Sequence, residues 1–556
     1  MPYDIRTPGR RWWFSILVNA GVGILIYLLL TPSFESYDDI KMISILRGTG
    51  EVVQPDEHIL FSHIGIGILF KNLYQQAPGV YWYEGFQTLL IFVFHIVLLH
   101  VLLSVSGIKK GLLLFGSYML LFGVHALIRL QFTTVSVIAA LTGVLFVFLY
   151  LKSESIWPKR IHMVLGFLFF LLSYAIRSQS FLLLALLMAP VVVMFYKRIV
   201  HTKTQLASLL LLGSLLIIGL SALSLFNNAY YARDPAWNDF WNRNRLQAKF
   251  CDMSLIRYNK DVCDAVGWSE NDFRLARTNF YCDTVLFSKG RMQYVADHNT
   301  LGIETLDEMK PNLSAWPLLF GGYKFLYFSL LACVLLALVV VKIPLADGLK
   351  LLACALVLLG INMALLALRG PLERLLFSTS LVYITLLLLY VGQTELRMKF
   401  QWLVISAAGL LCVVNFYKEY TFSSDRVQRY EELNKPEVIE ELSAKKLVVF
   451  GCDLNSQWYY LPFHTNPLYH SLHYITVSWI SVTPIWYKEC EHWGFRYFSM
   501  DILTDPSVTL VSNSYGVYAY YLKYMEEHYG VQRVPEKEYE YKPLLLTFRT
   551  FAPVVK

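Results

Sequence analysis

Asp38 and Asp39 stand side by side in the stretch Phe34-Glu35-Ser36-Tyr37-Asp38-Asp39-Ile40-Lys41-Met42, directly after the first long apolar segment. One such carboxylate can take the proton from a hydroxyl as it attacks an electrophile. Its neighbour can orient that hydroxyl, or the pair can hold a divalent cation through oxygen. With no chemistry at all, the two acids would complement the dipole of a helix start. The same connection continues Gln54-Pro55-Asp56-Glu57-His58-Ile59-Leu60-Phe61-Ser62-His63. Asp56, His58 and His63 are candidates for substrate contact. A five-residue separation of the histidines fits one helical face poorly, so no metal site is assigned. The structural alternative is an Asp56 N-cap followed by two interfacial histidines.

Arg129, Arg177, Arg369 and Arg374 each fall in a short, otherwise apolar turn at the end of a different apolar run. A phosphate or diphosphate leaving group is best met by such forked donors. Snorkelling of single side chains is the plain alternative. Glu373 either contacts substrate or pairs with an arginine. Trp237 and Trp241, near Asn242, Arg243 and Arg245, offer aromatic faces for a sugar ring, or anchors at a membrane interface.

These residues must be positioned by membrane helices. The chain has 556 residues, 56% hydrophobic and only 16% charged, against about 25% charged in soluble domains. The net charge of +7 does not signify nucleic acid, because much of the Lys and Arg lies in short connections. Arg10 and Arg11 precede a run too long for a cleaved leader, with no small-residue cleavage site after it. About eleven spans follow from the criterion of roughly 20 apolar residues: near 12–31, 86–106, 111–128, 133–151, 161–176, 180–196, 205–226, 318–341, 346–368, 375–392 and 400–417. Residues 58–74 read as an interfacial or re-entrant helix. Alternate connections are basic throughout, which makes that side cytoplasmic. The N-terminus is then cytoplasmic and the C-terminus extracytoplasmic. The four arginines, the Asp38–Asp39 loop (32–84), a long loop (227–317) and the tail (418–556) all fall on the outer side.

The long loop should carry short helices, one starting at Ser269 before Glu270-Asn271-Asp272. In the tail, Lys446–Gly451, Val508–Ser512 and Leu544–Phe548 read as strands and Tyr518–Tyr529 as a helix. The organisation is therefore a polytopic α-helical membrane domain, 1–417, followed by a small extracytoplasmic α/β domain, 418–556. Cys251, Cys263, Cys282, Cys452 and Cys490 lie in the outer segments, as free thiols or in bridges such as Cys452–Cys490.

Tyr37-Asp38-Asp39 followed by Pro55-Asp56-Glu57-His58 resembles the glycosyltransferase-C superfamily, multi-spanning enzymes that use polyprenyl-phosphate-linked sugars. Their shared mark is an acid or acid pair in the first outer loop before a membrane-surface helix. The pair is often Asp-Glu there and is Asp-Asp here. More narrowly, Asp38-Asp39…Met42, Pro55-Asp56-Glu57-His58…Phe61, Leu73-Tyr74…Pro78…Trp82-Tyr83 and Gly267-Trp268-Ser269-Glu270-Asn271-Asp272 are similar to multi-pass membrane proteins of Firmicutes. The superfamily resemblance implies an inverting transfer to a cell-envelope glycan or lipid acceptor at the bacterial cytoplasmic membrane. In it Asp38 is the base, Asp39 assists, and the arginines meet the lipid phosphate. It implies no cofactor beyond a divalent cation that the acid pair leaves open. A surface-polysaccharide polymerase or ligase using a lipid-diphosphate oligosaccharide would share the outer arginines. A transporter or flippase would place its polar site at the midplane and show repeats; neither is visible. A non-enzymatic scaffold would leave Asp38 and the arginines dispensable.

Overall fold

The computed structural model describes residues 7–251, 256–299, 344–369, 373–395, 401–450, 454–512 and 515–552, without the side chains of 196–199, 366–369, 373, 401–408, 412 and 515. Nine described helices are long and apolar enough to cross a membrane: Pro8–Leu29, Trp82–Ser106, Ile108–Ile128, Phe132–Lys152, Ile156–Ile176, Ser178–Phe195, Lys203–Tyr231, Leu345–Leu365 and Arg374–Gly392. The expected span at 318–341 lies outside the described residues. The one at 400–417 forms the first half of a longer helix, Gln401–Leu433.

The first connection is anchored by a two-residue strand, β1 (Ser33–Phe34), paired in parallel with β2 (Arg129–Leu130). Helix Tyr37–Arg47 follows, with Asp38 and Asp39 in its first turn, so the dipole-complementing use of the acids does apply. It stops at Gly48, which adopts φ +68; a Cβ there would lie 2.5 Å from the backbone of Pro55. The interfacial helix runs Ile64–Gln76 and is capped by His63, not Asp56. Gly67 lets it lie against the Glu57 carbonyl, which a Cβ would strike.

Helix Ile108–Ile128 widens into a π-turn at Met119–Gly123. The carbonyls of Leu120 and Leu121 there accept from the Asn415 amide. This contact brings the Gln401–Leu433 helix alongside His125 and Arg129.

At the C-terminus five strands form one mixed sheet in the order β4-β3-β5-β7-β6. They are β3 (Lys446–Phe450), β4 (Tyr474–Val477), β5 (Val508–Ser512), β6 (Lys537–Tyr541) and β7 (Leu546–Thr550). β3 is parallel to β4 and β5, while β7 is antiparallel to β5 and β6. Helices including Pro484–His492 and Tyr515–Tyr529 flank the sheet.

This C-terminal region docks directly on the first connection. Lys41, 1% exposed, pairs with Glu51 at 2.9 Å and donates to Thr476 and Ser478 at the end of β4. Tyr469 bonds Ser44, and the buried Glu84 accepts from Tyr74 and Tyr460. The long loop docks there too. Its helix Glu270–Ala276 starts at Ser269 with a capping box, and Asp272 meets His528 at 2.9 Å.

Candidate functional site

The first turn of Tyr37–Arg47 turns its two acids to different partners. Asp38 Oδ2 lies 2.9 Å from Arg374 Nη1, at the start of the Glu373–Gly392 helix. Asp39 is fully buried. Its Oδ1 accepts from Tyr83 Oη (3.0 Å), Gln87 Nε2 (2.6 Å) and the Phe132 backbone N–H (3.1 Å). Its Oδ2 and the Gln87 Oε1 are buried with no hydrogen-bond partner among the described residues. Burial drives the Asp39 carboxyl up to about 7, with Asp38's charge adding and the Gln87, Tyr83 and Phe132 bonds opposing. Asp38 thus meets a cation, whereas Asp39 is locked into the junction of three elements, where burial favours its protonated form.

Phe132 links the other groups. The Arg177 guanidinium lies 4.7 Å from its ring centroid and 5.5 Å from that of Phe61. Phe61 packs on Trp479 at 4.6 Å, just after β4, and Lys41 Nζ sits 5.4 Å from the Trp479 ring. Asp38, Asp39, Arg177 and Arg374 are therefore gathered where membrane helices meet the C-terminal sheet. Arg129 reaches the same region through β1–β2, but its Nε is 2.9 Å from Glu419 Oε2 and its guanidinium lies over Phe422. The other Glu419 oxygen takes His125 at 3.1 Å. The side chains of Arg369 and Glu373 lie outside the described residues.

Asp56, His58, Trp237 and Trp241 form a second group. Asp56 Oδ1 is 2.6 Å from His58 Nδ1. Burial works against this carboxylate, but the His58 contacts outweigh it and hold Asp56 below its ordinary range. The His58 ring stacks on Trp237 at 4.0 Å, and Trp241 stacks on Tyr231 at 4.3 Å. Trp237 is buried, so its face is covered by His58 rather than open to a sugar. His63 is apart from both groups: Nδ1 caps Gly65 N and Nε2 meets the Leu223 carbonyl.

Two described clusters have the donor types for a metal, Asp56–Glu57–His58 and Asp272–Glu527–His528. In the first, Glu57 is already taken by Lys71 and Tyr230; in the second, Asp272 caps Ser269 as well as meeting His528. Cys263, Cys282, Cys354 and Cys490 carry free thiols, while Cys452, the other half of the expected bridge, lies outside the described residues.

Lys41, Tyr83, Gln87, His125, Glu419 and Trp479 were not singled out from the sequence. Lys41 had a signal, one turn beyond Asp38 in an apolar stretch. So did Gln87, a polar residue opening an apolar run, and Glu419, the first acid past the end of one.

No protein-family model and no curated protein matches this chain. Among solved structures it is similar to the crystal structure of ArnT from Cupriavidus metallidurans in the apo state, at 12% identity and a TM-score of 0.40. The alignment covers 96% of this chain and 97% of that one. A likeness this loose transfers no residue's role.

Proposed function

We propose that this chain is a membrane-embedded inverting glycosyltransferase. It moves a sugar from a polyprenyl-phosphate donor to a cell-envelope glycan or lipid acceptor on the extracytoplasmic face. The observation that carries this reading is the 2.9 Å contact of Asp38 with Arg374, a base and a phosphate-binding cation held together at the first residue of the candidate span Arg374–Gly392. In this reading residues 1–417 supply the membrane domain and 418–556 an extracytoplasmic domain. The packing of the first connection, the long loop and the C-terminal sheet against one another supports placing all three on one face.

The acceptor hydroxyl oxygen attacks the anomeric carbon of the donor. The bond from that carbon to the phosphate oxygen breaks, and the phosphate leaves with the electron pair. The acceptor proton passes to Asp38. In the resting site Arg374 holds the Asp38 carboxylate in place. A donor phosphate competes for Arg374 and draws the guanidinium towards the leaving group. Arg177 adds positive charge where charge develops on the leaving group.

The test uses the full chain in lipid nanodiscs with radiolabelled polyprenyl-phosphate sugars and a membrane-glycan extract. Label should pass to the acceptor with inverted anomeric configuration, and Asp38→Asn should abolish the transfer. Transfer that survives Asp38→Asn unchanged would remove the proposal.

A further inference from the structure

A cleft of about 410 Å³ opens between residues 52–56 of the first connection and the helix Pro484–His492. Sites for small ligands commonly measure about 300–1,000 Å³. On the helix, Ile485, Lys488, Glu489 and His492 recur at spacings of three and four, which puts them on one face. That face lines the cleft. Opposite are Gln54 and Asp56. Thr483 fixes the start of the helix by accepting from Trp486 N.

The donors and acceptors in this cleft are mixed in a particular way. Glu489 is 5% exposed and accepts from the Val53 backbone N–H through Oε1. That bond ties the helix to the loop and leaves the second oxygen for another donor. Asp56 adds a carboxylate, Gln54 an amide, and the exposed Lys488 and His492 add donors at the rim. A phosphate would be repelled by Asp56, Glu489 and Glu491. A ring bearing several hydroxyls, each able to donate and accept, suits the set. Burial, opposed by the Val53 bond and reinforced by Glu51, pushes Glu489 up to about 7. Near neutrality its carboxyl group can therefore either accept or donate.

The cleft is also tied to the reaction site. Asp56 N bonds the Ile45 carbonyl, seven residues after Asp38 on one helix. Asp38 and Ile45 are about 10 Å apart along the axis, at 1.5 Å per residue. Resting on the glycosyltransferase reading, we infer that this cleft is an acceptor subsite that binds an internal sugar residue of a glycan whose terminal hydroxyl reaches Asp38. The acceptor is thus an oligosaccharide chain rather than a lone lipid hydroxyl.

The experiment is saturation-transfer NMR on the full chain in nanodiscs, with the methyl glycosides of glucose, galactose and N-acetylglucosamine at millimolar concentration. At least one should receive saturation. Gln54→Trp, a filling change at an exposed position, should remove that signal, and Glu489→Gln should weaken it. Asp38→Asn should leave it in place. No signal for any of the three, or a signal indifferent to Gln54→Trp in protein of unchanged thermal midpoint, overturns the subsite. In the transfer assay Gln54→Trp should raise acceptor KM about tenfold or more with donor KM unchanged. Transfer with unaltered acceptor KM would sink the subsite and leave the glycosyltransferase standing. Sugar binding that Gln54→Trp removes, in a protein showing no transfer, would do the reverse.

Discussion

Asp38 and Arg374 meet at 2.9 Å across 336 residues of chain. The contact joins the first turn of the Tyr37–Arg47 helix to the start of a buried membrane helix, so each partner is delivered by a rigid element. On the glycosyltransferase reading, Arg374→Ala removes both a donor to the leaving phosphate and the partner that positions Asp38, and should lower kcat by about 10²–10³-fold. Arg374→Lys should restore only part of the rate, because an ammonium lacks the fork. A kcat unchanged in Arg374→Ala would remove Arg374 from the reaction site.

Lys41 and Glu51 form an ion pair with almost no exposure, capped by Thr476 and Ser478. Removing one partner leaves a buried charge, which costs about 3–5 kcal/mol. Lys41→Met should lower the thermal midpoint and expose the junction before β3 to protease. Lys41→Met with Glu51→Leu should recover most of that loss, since an apolar pair of similar volume is often neutral. A double variant no better than the single would mean that Lys41 acts mainly through Thr476 and Ser478.

The candidate site residues were legible where polarity breaks an apolar run. Asp38, Asp39, Arg177 and Arg374 stand out for that reason. Their partners in the structure were not legible. Nothing in the acid pair says that Asp38 will find Arg374 and Asp39 will be sealed under Tyr83, Gln87 and Phe132, because those contacts join segments about 44–336 residues apart. His63 drew attention as a candidate for substrate contact, yet it spends Nδ1 on the start of the Ile64–Gln76 helix and Nε2 on the Leu223 carbonyl. Among the strands, Lys446–Phe450 was clear from its apolar run. Lys537–Tyr541 escaped because it is a charged, exposed edge strand, the kind that alternation does not reveal. Tyr474–Val477 is only four residues long.

Arg129 is bound to Glu419 and packed on Phe422, while His125 shares the same carboxylate. Arg129→Ala and Glu419→Ala should each destabilise the fold, and the double variant should lose less than the sum. A coupling of about 1–3 kcal/mol, read from a thermal-unfolding cycle, is expected for a buried pair in direct contact. If Arg129 also meets the donor phosphate, Arg129→Ala alone should raise donor KM. A donor KM unchanged in Arg129→Ala would confine that arginine to holding helix Gln401–Leu433 against the π-turn.

Asp39 sets a pH dependence of opposite sign to that of a salt-bridged acid. Its folded carboxyl titrates at about 7, against an ordinary 3.8, so between those values the folded chain holds a proton that the unfolded chain has released. The stabilisation is complete below the unfolded value and is lost as pH rises towards 7. Its ceiling is about 4 kcal/mol. Asp39→Asn presents a neutral group of the same shape. The wild-type thermal midpoint should fall between pH 5 and pH 8, and that of Asp39→Asn should fall less. Glu489 is likewise raised to about 7, so the comparison belongs in a Glu489→Gln background. Parallel profiles would mean that Asp39 is ionised in the folded state; a flattened profile would mean that Asp39 holds the proton there.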